Sequence, residues 1–273
     1  MPNNNYHYKV IGNTNADDIL IFLHGWGGSK ESFDKLSNKI IDQEKDLKLI
    51  LLDLPGFGDA PMPPKEGWNT KDYQQWFESF LSSLTTTSFT KIHLYGHSFG
   101  CRVILRHLIK SPKFSGKVFL TGAAGVKWPP TIKERTTKLL NKIFTPIKFI
   151  LPSKIKKKVL RKLGAGDWAE ADPAIKATLQ KTLAEEDLRT YFSEIQQDIT
   201  LIWGKNDTYT PYKSAQVFHK LLPKNTLTTF PEGRHGIHYT HINEISELVI
   251  LKVMESKRER ERLVKKFMYG DQV

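Results

Sequence analysis

A serine hydroxyl is a poor nucleophile until a nearby base takes its proton, so serine chemistry is sought as a constellation rather than a residue. In this chain of 273 residues the serine with the best local surroundings is Ser98, in Gly96-His-Ser-Phe-Gly100. This is a G-x-S-x-G pattern, whose small flanking residues let a strand and a helix crowd a sharply turned serine. The pattern alone is weak, since three fixed positions recur by chance in roughly one chain in ten of this length. Its context decides. Lys91-Ile-His-Leu-Tyr95 reads as a strand before it, and Cys101-Arg-Val-Ile-Leu-Arg-His-Leu108 has helical spacing after it.

Nine histidines compete to be the base. His24 and His97 sit inside glycine-rich motifs, where they are expected to orient loops. His93 and His107 fall within a strand and a helix. His235 follows the last strand, in Pro231-Glu-Gly-Arg-His235, with His238 and His241 as nearby rivals. The third member must be a carboxylate that fixes the imidazole tautomer and stabilises the imidazolium. Asp207 follows the Leu201-Ile-Trp-Gly204 strand end, giving the order Ser, Asp, His. The competing position, after Lys117-Val-Phe-Leu120, offers no carboxylate before Glu134. Oxyanion donors are expected from the backbone amides of Phe99 and of Trp26, the latter in the turn His24-Gly-Trp-Gly-Gly28. Trp26 and His97 are also the candidates for lining the substrate site.

These residues need a scaffold that gathers them. Ile19–Leu23, Leu47–Leu52, Lys91–Tyr95, Lys117–Leu120, Ile199–Trp203 and Thr226–Phe230 are apolar runs, each followed by Gly, Pro, Asp or His, with Tyr6–Ile11 an earlier strand. Such runs, alternating with helical segments, predict a mostly parallel sheet covered on both faces, with its site at the strand C-terminal ends. The alternation stops between Gly125 and about Ile195. There Leu139, Leu140, Ile143, Phe144 and Ile147 share one helical face, and Ile155, Val159, Leu160 and Leu163 another, with Pro146, Pro152 and Pro173 as breaks. The expected organisation is a core of 1–125 and 196–273 with a helical lid at 126–195. After Glu244 a C-terminal helix is expected.

The net charge of +12 is unevenly placed. Between Val126 and Leu163 stand twelve Lys or Arg against one acid, Glu134, while the rest of the chain is close to neutral. Such a block can dock an acidic acyl-carrier protein or an anionic membrane, or simply solvate the outer face of a lid. It carries no nucleic-acid-binding motif. A single cysteine, Cys101, rules out an intrachain disulfide and fits a reducing compartment. The first residues lack a basic segment followed by an apolar one, so a cytoplasmic protein is expected.

Five motifs together, His24-Gly-Trp-Gly-Gly-Ser29, Asp53-Leu-Pro-Gly-Phe-Gly-Asp59, Gly96-His-Ser-Phe-Gly100, Trp203-Gly-Lys-Asn-Asp-Thr-Tyr-Thr-Pro211 and Gly233-Arg-His235, resemble the α/β-hydrolase superfamily in order and spacing over nearly the whole chain. They look like those of carboxylesterases such as pimeloyl-carrier-protein methyl ester esterase, and of C–C bond hydrolases of aromatic breakdown. The resemblance implies the catalytic roles above and no metal or organic cofactor. Two positions depart from it. Cys101 stands where relatives often have a second glycine, and Arg234 where a small residue commonly precedes the histidine. The expected activity is hydrolysis of a carboxylic ester or thioester through an acyl-enzyme. C–C hydrolysis or acyl transfer could use the same residues, whereas a dehalogenase would want Asp at position 98. A ligand receptor on the same fold is the alternative of another class.

Overall fold

A computed structural model describes residues 6–84, 86, 90–129, 172–184 and 187–269. The stretch from 130 to 163, with most of the basic block and both expected lid faces, lies outside the described residues.

Seven strands form one sheet: β1 (Tyr8–Gly12), β2 (Asp18–Leu23), β3 (Lys48–Leu52), β4 (Lys91–His97), β5 (Val118–Thr121), β6 (Ile199–Gly204) and β7 (Asn225–Phe230). Their spatial order is β1-β3-β2-β4-β5-β6-β7. All neighbours run parallel except β1, which pairs antiparallel with β3 from Tyr8↔Leu52 to Gly12↔Lys48. The five inner strands are mostly apolar because both faces are covered, the buried Asp18 and His93 being exceptions. In β2, Leu20 and Phe22 join a core cluster with Leu36 and Ile40 of α1 (Asp34–Gln43) and Ile245, Val249 and Val253 of α7 (Ile242–Tyr269). Ile19, Ile21 and Leu23 alternate with them and are buried too, so they face the opposite side. Each such side chain contributes roughly 1.5–3 kcal/mol on burial. The four-residue spacing of Ile245, Val249 and Val253 puts one stripe of α7 against the core.

The edges differ from that expectation. β7, whose sequence Asn-Thr-Leu-Thr-Thr-Phe mixes polar with apolar, is half-buried rather than covered on both faces. β1 is largely exposed. Among the described residues both have a strand neighbour on one side only, and threonine and tyrosine suit such half-wet strands.

The chain divides into two compact units. Met1–Met62, Thr70–Val126 and Asp187–Val273 form the first, which holds the sheet together with α2 (Thr70–Ser83), α3 (Phe99–Lys110), α5 (Tyr212–Leu221) and the single-turn α6 (Ile237–Thr240). Pro63–Asn69 and Lys127–Glu186 form the second, which contains α4 (Pro173–Ala184). Within it the turn at Gly67 lies directly on α4. A Cβ there would stand 2.4 Å from the Thr178 nitrogen. The Trp68 N–H donates to Thr178 Oγ1 at 2.9 Å, and Lys181 Nζ to the Gly67 carbonyl at 2.7 Å. Among the described residues, no helix is long and apolar enough to cross a membrane.

Candidate active site

The strand order reverses at β2, which is followed in sequence by its neighbour on one side and later by β4 on the other. Ligands of open α/β sheets bind outside the strand C-termini at such a switch point. Here the turn after β2 carries Gly25 and Trp26, and the turn after β4 carries Ser98.

Ser98 is the one non-glycine residue with positive φ among the described residues, at φ 50° and ψ −109°. A conformation this sparsely populated costs of order 1–3 kcal/mol and persists only where the surroundings fix it. They do so here. A Cβ on Gly100 would lie 2.1 Å from the Leu23 carbonyl oxygen, so α3 can approach β2 this closely only with glycine at that position. The Ser98 N–H donates to the Thr121 carbonyl at 3.0 Å, and its own carbonyl accepts from Cys101 and Ala124, both at 3.1 Å. Ser98 is the N-cap of α3, so the amides of the first helical turn, beginning with Phe99, stand at the positive end of the helix dipole. Cys101 is fully buried, with Sγ 3.6 Å from the Thr121 carbonyl, and burial pushes its thiol pKa up. The thiol thus fills the contact between α3 and the strands beneath it.

Asp207 and His235 meet from adjacent strand ends, after β6 and β7. His235 Nδ1 is 2.8 Å from Asp207 Oδ2. A carboxylate only accepts, so Nδ1 carries the hydrogen and Nε2 is the basic nitrogen. The second carboxylate oxygen takes the N–H groups of Tyr209 (2.8 Å) and Thr210 (2.9 Å). Burial would raise the Asp207 pKa, but the hydrogen bonds from His235 and Thr210 outweigh it and the carboxyl titrates below its ordinary range. Of the three late histidines, His235 is the one bonded to Asp207. His238 is buried with neither ring nitrogen hydrogen-bonded, and the His241 ring lies 4.5 Å from that of Phe230. Arg234 is exposed, so its charge is hydrated and screened rather than pressed against the imidazole.

Thr210 was not singled out by sequence reasoning. Its hydroxyl lies 2.7 Å from Asp207 Oδ2, 3.0 Å from the Gly122 carbonyl and 3.2 Å from His235 Nδ1. The buried Trp203 donates its indole N–H to the Thr210 carbonyl at 2.8 Å. The signal was present in the Asp207-Thr-Tyr-Thr210 spacing, where a carboxylate can accept the amides two and three residues on.

The remaining candidates also converge. The Trp26 ring is half-buried with centroid 5.3 Å from Phe99 and 5.0 Å from Phe57. His24 Nε2 accepts the Leu54 N–H at 3.0 Å, its Nδ1–H faces the Gly25 carbonyl at 2.8 Å, and burial lowers its pKa. Asp53, fully buried, accepts the Lys30 amide and ammonium at 2.7 Å each and the Asp59 amide at 3.0 Å. These contacts tie the Asp-Leu-Pro-Gly-Phe-Gly turn to the turn bearing Trp26. His97, only 9% exposed, faces the loop of His235: its Nε2 is 3.1 Å from the His235 carbonyl. Among the described residues no group of three or more His, Cys, Asp or Glu is arranged to hold a metal ion.

Comparison with known proteins agrees with this architecture. Among curated relatives, a 2-hydroxy-6-oxononadienedioate/2-hydroxy-6-oxononatrienedioate hydrolase of Escherichia coli is 22% identical over 266 residues, 89% of either chain. An esterase from Exiguobacterium antarcticum superposes with TM-score 0.68 at 20% identity, over 91% of this chain and 95% of that one. A bromoperoxidase from Bacillus anthracis superposes with TM-score 0.69 at 18% identity, over 91% and 95%. Residues 20–247 match the profile of the Alpha/beta hydrolase family. With its mostly parallel sheet and motifs in family order, the chain belongs to that family.

Proposed function

We propose that the protein hydrolyses a carboxylic ester or thioester through an acyl-enzyme on Ser98. The observation that carries this reading is the Asp207–His235 bond beside a turn that holds a serine in a strained conformation. In this mechanism His235 Nε2 takes the Ser98 hydroxyl proton as Oγ attacks the substrate carbonyl. The Trp26 and Phe99 amides hold the resulting oxyanion. The intermediate collapses, the imidazolium gives its proton to the departing alkoxide or thiolate, and a water repeats the sequence to free the acid. Asp207 fixes the tautomer throughout, and Thr210 holds Asp207. No step calls for a cofactor. A chain with a single cysteine calls for no intrachain disulfide, which supports a cytoplasmic setting.

A second reading, C–C bond hydrolysis, is favoured by the name of the Escherichia coli relatives. The same residues would serve it if the departing carbon can take the bonding electrons into an adjacent carbonyl. The inserted segment at 126–195 is proposed as a lid that selects the acyl group. Its basic stretch is proposed, on sequence charge alone, to meet an acidic carrier protein or an anionic membrane.

Fluorophosphonate labelling and turnover of short p-nitrophenyl esters are the test. Both should be present in the wild type and absent in Ser98→Ala. Equal labelling of the two would sink the nucleophile assignment. Tight ligand binding without product over long incubation would instead make the protein a receptor.

A further inference from the structure

Asp207 holds one nitrogen of His235, but a proton transfer from Ser98 also needs the His235 loop kept at a fixed distance from the serine. The two residues belong to the ends of β4 and β7, which are separated in the sheet by β5 and β6. Among the described residues, the His97 side chain bridges these turns directly. His97, the residue before Ser98, has its Nε2 3.1 Å from the His235 backbone carbonyl. A carbonyl oxygen only accepts, so Nε2 must carry the hydrogen. The His97 ring is also packed on two sides. Its centroid is 4.7 Å from the His235 ring and 4.3 Å from the His238 ring. Gly25 closes the near side, where a Cβ would stand 2.8 Å from His97 Nδ1.

We infer that His97 is a positioning residue that ties the His235 loop to the nucleophile turn, donating its Nε2–H to the His235 carbonyl while His238 backs its ring. The inference rests on the triad reading above. Three imidazoles this close could otherwise suggest a metal site, but the His97 ring is tilted by 49° and 54° against the other two, and among the described residues no group of three or more His, Cys, Asp or Glu is arranged to hold a metal ion. The arrangement suits a strip of neutral rings. Burial, then the neighbouring His238 and His235, push the His97 pKa well below its ordinary value, and burial pushes that of His238 down to about 3. Uncharged neighbours do not oppose the imidazolium that forms on His235 during the reaction. A glutamine at 97 would keep an N–H donor, whereas leucine would keep only bulk.

The test uses the full chain with His97→Leu, His97→Gln and Ser98→Ala. A loosened base loop should slow fluorophosphonate labelling and lower kcat by about tenfold or more in His97→Leu, with KM moved less than about threefold. His97→Gln should recover most of the loss, which a merely structural role would not produce. Wild-type rates in both variants, or equal losses in both, would overturn the tie while Ser98-dependent labelling of the wild type leaves the proposed function standing. A wild type that labels nowhere would take down the function itself. The tie is then judged by nitrogen-correlated NMR of the histidine rings, a readout that also serves if His97→Leu fails to fold. A neutral His97 with hydrogen on Nε2 supports it, and hydrogen on Nδ1 overturns it.

Discussion

Two Asp–His pairs sit at opposite ends of the same sheet, and they differ in how fully the histidine ring is committed. At the N-terminal ends of β2 and β4, His93 Nε2 meets Asp18 Oδ1 at 3.1 Å, and His93 Nδ1 accepts the Lys117 N–H at 3.0 Å. Both ring nitrogens are used, and both residues are buried to within 1%. At the C-terminal ends, Asp207 takes one nitrogen of His235, whose side chain remains 18% exposed. The same two residue types make a strap in one place and a candidate base in the other. The difference is whether the second nitrogen is already committed. His238 is a third case, buried with neither nitrogen hydrogen-bonded.

Replacing the carboxylate at each end should separate the two pairs most sharply. Asp207→Asn should lower kcat by about 10³- to 10⁴-fold, because the wrong tautomer is held at His235, while the melting temperature changes little. Asp18→Ala should do the reverse. It leaves a buried N–H on His93 without its acceptor, costing about 1–3 kcal/mol, or roughly 2–4 °C in Tm per kcal/mol, with kcat within about twofold. Steady-state kinetics and thermal melts on both variants check this, and an activity loss in Asp18→Ala would erase the distinction.

The unbonded His238 extends the comparison to pH. Its folded pKa of about 3 lies below the ordinary 6.5, so the unfolded chain binds a proton first as pH falls. Stability attached to this ring is therefore intact above pH 6.5 and declines below it towards pH 3, by up to about 1.4 kcal/mol per pH unit. His238→Phe keeps a ring and removes the titration, so its stability should fall less steeply with acid. Unfolding midpoints in denaturant from pH 7 to 4 measure it, and parallel slopes would count against a buried neutral ring. The smallest effect belongs to Arg234→Ala. An exposed cation beside the base is screened, so kcat/KM for a neutral ester should stay within about twofold. A larger change would mean that the arginine reaches substrate.

The candidate site residues could be picked out because the fold writes them as short local patterns. Ser98 announces itself by the glycines that let β4 and α3 crowd it, and Asp207 and His235 by their places just after strands. The inner strands were equally plain, since burial on two faces leaves mostly apolar runs. What holds those residues was not legible. The bond from His97 spans 138 residues. Thr210 looked like one more loop threonine until Asp207, Gly122 and His235 surrounded it. The strap of Asp18 and His93 gave no sign either, because an acid at a strand start and a histidine within a strand are each unremarkable alone. The half-wet character of β7 was misjudged because three threonines suit a strand whether or not both its faces are covered.

The buried thiol of Cys101 turns the Ser98 turn into its own reporter. It is the chain's single cysteine, it lies in the first turn of α3 three residues past Ser98, and it has no exposed surface. A disulfide reagent can reach it only when α3 lifts from β4 and β5, and with one thiol there is one signal. The rate of that modification in native buffer is a clock for opening of the very turn that strains the serine. Comparing it with the rate of global unfolding tells whether the turn ever loosens without the rest of the sheet.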